Sequence, residues 1–197
     1  MNLLFRFFFG MIVIALVSCK KDKLVVPSIP HPEMEYFNLN DTSVKADTPG
    51  FSIDINHDGR KDLAFTTLLV GDPVFQVDKL QFLIRSNIQV NLPVDAYEQI
   101  PVMNPGDSIV SEDFNGYHWW ELSTIVLVQK IIYFNHSPVW EGNWKNAVHK
   151  YVPYQVINNN LRYNGWVELS VDVAGERVIL YKAAVCKEAN KVVTAGK

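Results

Sequence analysis

The chain has 197 residues, of which 48% are hydrophobic and 20% are charged, and its formal net charge is −3. This composition excludes a disordered or collagen-like chain, and the length predicts a single domain with its own core. Proteins that bind nucleic acid through phosphates usually carry a basic excess, so the charge balance argues against that class. Two cysteines, Cys19 and Cys186, are too few for a disulfide framework.

Residues 1–18 have the features of an export signal. Arg6 gives the positive start, and an apolar run follows from Phe7 to Val17. The run is shorter than the roughly 20 apolar residues that a membrane-spanning helix needs. It ends in Leu16-Val17-Ser18-Cys19, followed by two lysines, and this segment resembles the lipobox of bacterial lipoproteins. The alternative is a secretory signal with an incidental cysteine.

The lipobox resemblance implies cleavage before Cys19 and a diacylglycerol on its thiol. Several acyl chains, palmitate among them, would then hold the protein on a membrane. The residue after the cysteine is Lys20 and not the aspartate that retains enterobacterial lipoproteins in the inner membrane, which points to the outer membrane of a Gram-negative cell. Residues 19–33 are rich in proline and predict an extended tether, followed by one domain over residues 34–197.

Beyond the signal, β-branched and aromatic segments alternate with turn residues, and no segment keeps a 3.6-residue apolar period. Residues 166–173 alternate in polarity, which predicts a half-buried strand with one face toward solvent. Together these features predict an all-β fold, either a sandwich or a barrel. The predicted strands are residues 51–55, 63–70, 80–85, 125–134, 151–157, 165–173 and 177–185.

The nine residues from Asp54 to Asp62 are rich in side-chain oxygen. Oxygen-bearing residues stand at loop positions 1, 3, 5 and 9, and Gly59 stands at position 6. Calcium takes roughly six to eight oxygen ligands, which a tight loop delivers when alternate residues point inward. An EF-hand also needs a glutamate at position 12, which is Phe65 here, so the segment is not an EF-hand.

The loop resembles those of FG-GAP and integrin-type hairpins, which have the pattern D-x-[DN]-x-D-G-x-x-D between two strands. The resemblance implies one structural calcium ion, and it covers the loop alone, because FG-GAP propellers repeat the unit and this chain has one copy. The implied ligands are Asp54, Asn56, Asp58, the main-chain carbonyl of Arg60, and Asp62. His57 is expected to be a solvated spacer. The alternative is a turn whose carboxylates splay into solvent and bind nothing.

A wider resemblance covers residues 50–197. The loop, residues 142–156 and residues 163–171 occur in the order found in a group of secreted and lipoprotein domains of Bacteroidota. There they resemble a G-x-W motif, a Y-[LIV]-x-F-[RQ]-[FV] strand and a Y-G-W-[IV]-x-L-S strand. The resemblance implies a jelly-roll-like antiparallel β-sandwich and no particular activity.

Aromatic side chains suggest a glycan-binding face, because their faces stack on sugar rings. The predicted ligand-binding residues are Tyr117, Trp119, Trp120, Trp140 and Trp144. Trp119 and Trp120 are adjacent, so on a strand they would point to opposite faces and at most one would line a given groove. The alternative is that these aromatic residues pack in the core or at sheet edges.

The sequence favours a non-catalytic binding or surface module of the cell envelope, and no catalytic residue is assigned. It lacks a G-x-S-x-G elbow, H-E-x-x-H, C-x-x-C and a glycine-rich phosphate loop. A glycan-processing hydrolase, the first alternative, needs a pair of carboxylates. The candidates are Glu112, Asp113, Glu121 and Glu141. The second alternative is a structural subunit of an envelope protein complex.

We predict that Cys19→Ser abolishes incorporation of labelled palmitate, because the acceptor thiol is lost. Metabolic labelling followed by membrane fractionation measures this directly. Cys186→Ser is the matched control and should keep the label. Continued labelling of the Cys19→Ser protein would show that the lipobox assignment is wrong.

Overall fold

The computed structural model describes residues 31–197. The predicted signal peptide, Cys19 and the tether up to residue 30 lie outside the described residues. Within the described range, no helix has the length and apolarity needed to cross a membrane.

The described residues fold into thirteen strands joined by turns. These are β1 (Met34–Val44), β2 (Phe51–Ile53), β3 (Leu63–Asp72), β4 (Val77–Ser86), β5 (Val90–Val94), β6 (Ser108–Ile109), β7 (His118–Glu121), β8 (Thr124–Tyr133), β9 (Val139–Glu141), β10 (Lys150–Asn158), β11 (Leu161–Asp172), β12 (Arg177–Cys186) and β13 (Val193–Thr194).

Two large antiparallel sheets pack face to face. The six-stranded sheet has the order β1-β12-β11-β10-β5-β7, and the five-stranded sheet has the order β2-β3-β4-β8-β9. Apolar side chains from both sheets, such as Phe82 and Val167, fill the space between them. The predicted antiparallel β-sandwich is therefore confirmed.

Each of the seven predicted strand segments overlaps an observed strand. The turn between β10 and β11 illustrates why, since Asn159 and Asn160 both have a positive φ, which asparagine tolerates. Strand β1 is missing from the prediction. A bulge lies between Asn38 and Thr42, and Asn40 and Asp41 within it have φ of 54° and 52°. The bulge interrupts the alternation by which strands are recognised.

The central strands of the six-stranded sheet, β10, β11 and β12, are buried on both faces. Val152 and Val167 belong to the core between the sheets, whereas the neighbouring residues Tyr151 and Trp166 pack in a second cluster on the opposite face. That cluster also contains residues of β6 and β13, which form a small two-stranded sheet. The prediction of a solvent-facing side for residues 166–173 is wrong at Trp166, which is 2% exposed, because segments distant in sequence cover this face.

Cys186, at the end of β12, belongs to this second cluster and is buried. Burial raises the pKa of its thiol above the usual value. This placement agrees with the expectation for a small apolar residue of the interior.

Tyr154 and Gly165 form a cross-strand pair in the centre of the six-stranded sheet. The Tyr154 ring is completely buried, and its hydroxyl donates to the main-chain oxygen of Ala184 at 2.9 Å. A Cβ atom on residue 165 would lie 2.6 Å from that hydroxyl oxygen and 2.5 Å from the Ala184 oxygen. Only glycine leaves room for the ring at this position.

We predict that Gly165→Ala lowers the free energy of unfolding by about 2–3 kcal/mol, because the added methyl group overpacks the centre of the sheet. Gly71→Ala is the matched control, since its Cβ would meet only the Asp78 side chain at 3.5 Å. Urea unfolding of both variants measures the difference. Equal destabilisation of the two would contradict this account of Gly165.

Candidate functional site

The oxygen-rich loop joins β2 to β3 at one end of the five-stranded sheet. Ile53 and Leu63 are paired in the ladder, and the Asp62 amide donates to the Ile53 carbonyl at 2.8 Å. The hairpin therefore brings Asp54 and Asp62, the first and last residues of the loop, to the same end of the sheet.

Side-chain oxygens inside the loop accept hydrogen bonds from its backbone. The Gly59 amide donates to Asp54 Oδ2 at 2.9 Å, and the Asp58 amide donates to Asn56 Oδ1 at 3.0 Å. The Arg60 amide donates to Asp58 Oδ1 at 2.8 Å. Gly59 has φ +86°, a left-handed conformation that glycine adopts without strain. These contacts turn the three side chains toward the inside of the loop.

The two outer aspartates of the loop differ in how their oxygens are satisfied. Asp54 Oδ1 is buried and has no hydrogen-bond partner among residues 31–197. Asp62 is buried, and its Oδ2 accepts from the amides of Ile55 at 2.7 Å and Asn56 at 3.1 Å. Its Oδ1 accepts from the Asn87 side chain at 2.9 Å. Asp62 therefore braces the loop, while Asp54 carries an oxygen free to accept a ligand.

In residues 31–197, no three side chains of His, Cys, Asp or Glu form a group that could hold a metal ion. The three aspartates of the predicted calcium set, Asp54, Asp58 and Asp62, therefore do not form such a group here, and both oxygens of Asp62 are engaged in bracing. The other two predicted ligands, the Asn56 side-chain oxygen and the Arg60 main-chain carbonyl, are of other types. His57 is not among the loop's internal contacts. Its Nε2 lies 3.0 Å from Glu35 Oε1, and its ring packs 5.6 Å from the Phe37 ring.

The five predicted aromatic residues do not form one face. Trp144 is completely buried in the main core, and its indole N–H donates to the Ile100 carbonyl at 3.3 Å, so it cannot contact a sugar. Trp140 lies on β9 and packs on Phe82, with ring centroids 5.8 Å apart. Trp120 is 59% exposed.

Tyr117 and Trp119 are brought together. Both pack against Phe114, with ring centroids 5.7 Å and 5.9 Å from it. Trp119 also packs against the second cluster, on the outer face of the six-stranded sheet, whereas its neighbour Trp120 pairs with the core residue Leu92. The prediction that the two tryptophans serve different faces agrees with this placement.

Trp119 lines a cleft of about 340 Å³ on the outer face of the six-stranded sheet. We call it the Trp119 cleft. Its lining residues are Asn91, Glu112, Asp113, Trp119, Gln155 and Arg162. Asn91 of β5 is paired with Gln155 of β10, so these two amide side chains lie on the same face. The sequence analysis assigned no binding role to Asn91, Gln155 or Arg162. Gln155 stands at the [RQ] position of the Y-[LIV]-x-F-[RQ]-[FV] strand motif, but that motif implies no ligand, and no motif marks the other two residues.

Gln155 is completely buried, although it is polar. Its Nε2 donates to the Ser111 carbonyl at 2.8 Å and to Asn164 Oδ1 at 3.0 Å. Its Oε1 is buried and has no partner within the described part of the chain. A buried acceptor without a donor costs free energy, so this oxygen is a candidate for contact with a ligand or a water molecule.

The charged groups of the cleft are paired. Arg162 contacts Glu112 at 2.7 Å, and His118 contacts Asp113 at 2.8 Å. The hydrogen bond from His118, together with one from the Trp119 amide, lowers the pKa of the Asp113 carboxyl below its usual value. An ionised Asp113 lacks the proton that a general acid must donate.

The two remaining carboxylate candidates line neighbouring cavities. Glu121 lines one cavity together with Trp120, and Glu141 lines the next. The two cavities share Glu98 and Thr124. Glu121 and Glu141 are thus not gathered with Glu112 and Asp113, which line the Trp119 cleft.

Comparison of the chain with family models, with curated proteins and with solved structures finds no match.

We predict that Asp62→Ala lowers the free energy of unfolding by about 3 kcal/mol, because three donors, two of them backbone amides, lose their acceptor. The loss should be present in EDTA, since bracing does not depend on a metal. Asp58→Ala removes an exposed carboxylate of the same loop and serves as the control. Urea unfolding in EDTA measures the free energy of unfolding of both variants. Equal losses in Asp62→Ala and Asp58→Ala would contradict the bracing role of Asp62.

Proposed function

We propose that this protein is a lipid-anchored protein of the cell envelope, that it acts as a non-catalytic binding module, and that its β2–β3 loop holds one structural calcium ion. The lipid anchor rests on the sequence of residues 16–21, with Cys19 as the acylated residue. The outer membrane is the proposed location, and Lys20 is the residue that supports it.

The observation that carries the calcium proposal is Asp54 Oδ1, a buried carboxylate oxygen without a partner in the described residues. A buried carboxylate oxygen that lacks a donor costs free energy, and a cation would offset that cost. Oxygens of Asn56 and Asp58 and the Arg60 carbonyl belong to the same loop, and calcium prefers oxygen donors of these kinds. When bound, the ion would hold the hairpin loop in shape and would not take part in a reaction.

The charge pairing in the Trp119 cleft supports a binding role in preference to hydrolysis. A glycosidase needs one carboxylic acid that keeps its proton near neutral pH. Asp113 has a lowered pKa, and Glu112 is ion-paired with Arg162. The surroundings of Asp113 therefore disfavour its protonated form. A structural subunit of an envelope complex remains the competing function, and its mark would be one stoichiometric protein partner.

We predict that calcium at about 10 mM raises the melting temperature of the protein by about 3–10 °C, if the site has the affinity typical of extracellular modules. Asp54→Asn should abolish this rise, because the substitution removes the negative charge that attracts the cation. The asparagine keeps an oxygen that can accept the hydrogen bond from the Gly59 amide, so the loop should keep its shape. Differential scanning calorimetry in calcium and in EDTA measures both effects.

The matched control is Asp172→Asn, in the turn between β11 and β12. Asp172 is bonded to the Gly175 amide and to Arg177, and it lies outside the β2–β3 loop. This variant should keep the full response to calcium. Identical melting curves of the wild-type protein in calcium and in EDTA would remove the calcium proposal.

A further inference from the structure

Hydrogen bonds orient Trp119, Arg162 and Gln155 in the Trp119 cleft. The Trp119 indole N–H donates to the Glu112 carbonyl at 3.1 Å, and its main-chain amide donates to Asp113 at 3.1 Å. Arg162 is bonded to both the Ser111 carbonyl and Glu112. A site whose side chains are already ordered loses less entropy when a ligand binds.

The free acceptor of the cleft defines what a ligand must offer. Gln155 is completely buried, its Nε2 is occupied, and its Oε1 lacks a donor within residues 31–197. A ligand that meets this oxygen must present an O–H or N–H group. The half-buried indole of Trp119 adds an aromatic surface, so the ligand also needs apolar area.

The charges of the cleft indicate a neutral ligand. Glu112 forms an ion pair with Arg162, and Asp113 contacts His118, which carries a charge only when it is protonated. Arg162 is the cation that lines the cleft, and Glu112 neutralises it, so no unpaired positive charge among the lining residues is left to attract an anion.

From these contacts we infer that the Trp119 cleft binds one neutral sugar residue of a glycan, with a hydroxyl donating to Gln155 Oε1 and the ring against Trp119. A sugar combines hydroxyl donors with an apolar C–H face, which meets both requirements. A volume of about 340 Å³ lies at the small end of the range for ligand sites. The inference rests on the proposed binding function and names the ligand class and the residues.

The test is a saccharide-binding assay on the full-length protein, extracted from membranes in a detergent without sugar groups. The panel contains neutral oligosaccharides and, separately, oligosaccharides with uronic acids, and titration calorimetry gives each Kd. We expect a neutral saccharide to bind. Trp119→Ala should weaken its binding about tenfold or more, as is typical of a central aromatic contact. Asn91→Ala should weaken it as well.

Trp120→Ala is the matched control, because Trp120 is the next residue of β7 and points to the other face. Its Kd should stay within about twofold of the wild-type value. Trp119→Phe keeps an aromatic ring and should retain part of the affinity. Trp119→Phe shows whether the weaker binding of Trp119→Ala comes from the missing aromatic contact or from unfolding. The melting temperature of each variant is recorded together with its Kd.

Two results would overturn the inference and leave the binding function intact: saccharide binding lost in Trp120→Ala but not in Trp119→Ala, and binding restricted to the uronic-acid set. Failure of every saccharide to bind would also overturn it, and a water molecule would then be the partner of Gln155 Oε1. The binding function itself falls if, in addition, cross-linking in intact cells captures one stoichiometric envelope protein, which is the mark of the structural-subunit alternative.

Discussion

The central strands of the six-stranded sheet are buried on both faces, and this burial determines how the surrounding segments must pack. Strands β10, β11 and β12 have the sandwich core on one side and the second cluster on the other, so every polar group there needs a partner. Asn164 meets this need by donating to the Ser111 side chain and to the Lys191 carbonyl. Gln155 donates to the Ser111 carbonyl. The same amides that satisfy the sheet thereby fasten the covering segments to it, and the Trp119 cleft forms beside them.

The two candidate sites lie on different sheets and share no residue. The β2–β3 loop belongs to the five-stranded sheet, and its parts are held by Asp62 and Asn87. The Trp119 cleft belongs to the outer face of the six-stranded sheet. A cation in the loop would therefore stabilise the fold without touching a ligand in the cleft. This separation is consistent with a structural role for calcium and a recognition role for the cleft.

Local patterns were enough to predict most of the long strands and to identify the oxygen-rich loop, but not the composition of the Trp119 cleft. Strand β11 could be predicted because residues 166–173 alternate in polarity, and β10 because it is rich in β-branched and aromatic residues. Two asparagines form the turn between them. The short edge strands β7 and β9 carry too few residues for such a pattern. The bracing of Asp62 by Asn87 joins residues 25 positions apart in the chain, and the cleft joins Asn91, Gln155 and Arg162 through strand pairing. Contacts of this kind depend on register between distant strands, which one sequence does not display.

The reactivity of Cys186 can report on the small sheet of β6 and β13, which covers the outer face of the six-stranded sheet. The Cys186 sulfur is buried beneath residues that include Ile109 of β6 and Val193 of β13, and its pKa is raised, so in the closed state the thiol is both shielded and poor in thiolate. A thiol reagent reaches this sulfur mainly while the neighbouring structure is open. The rate of alkylation therefore reports the openings of this part of the domain, local openings as well as global unfolding. The alkylation rate of Cys186 can therefore be used to follow the dynamics of the layer formed by β6 and β13, next to the Trp119 cleft.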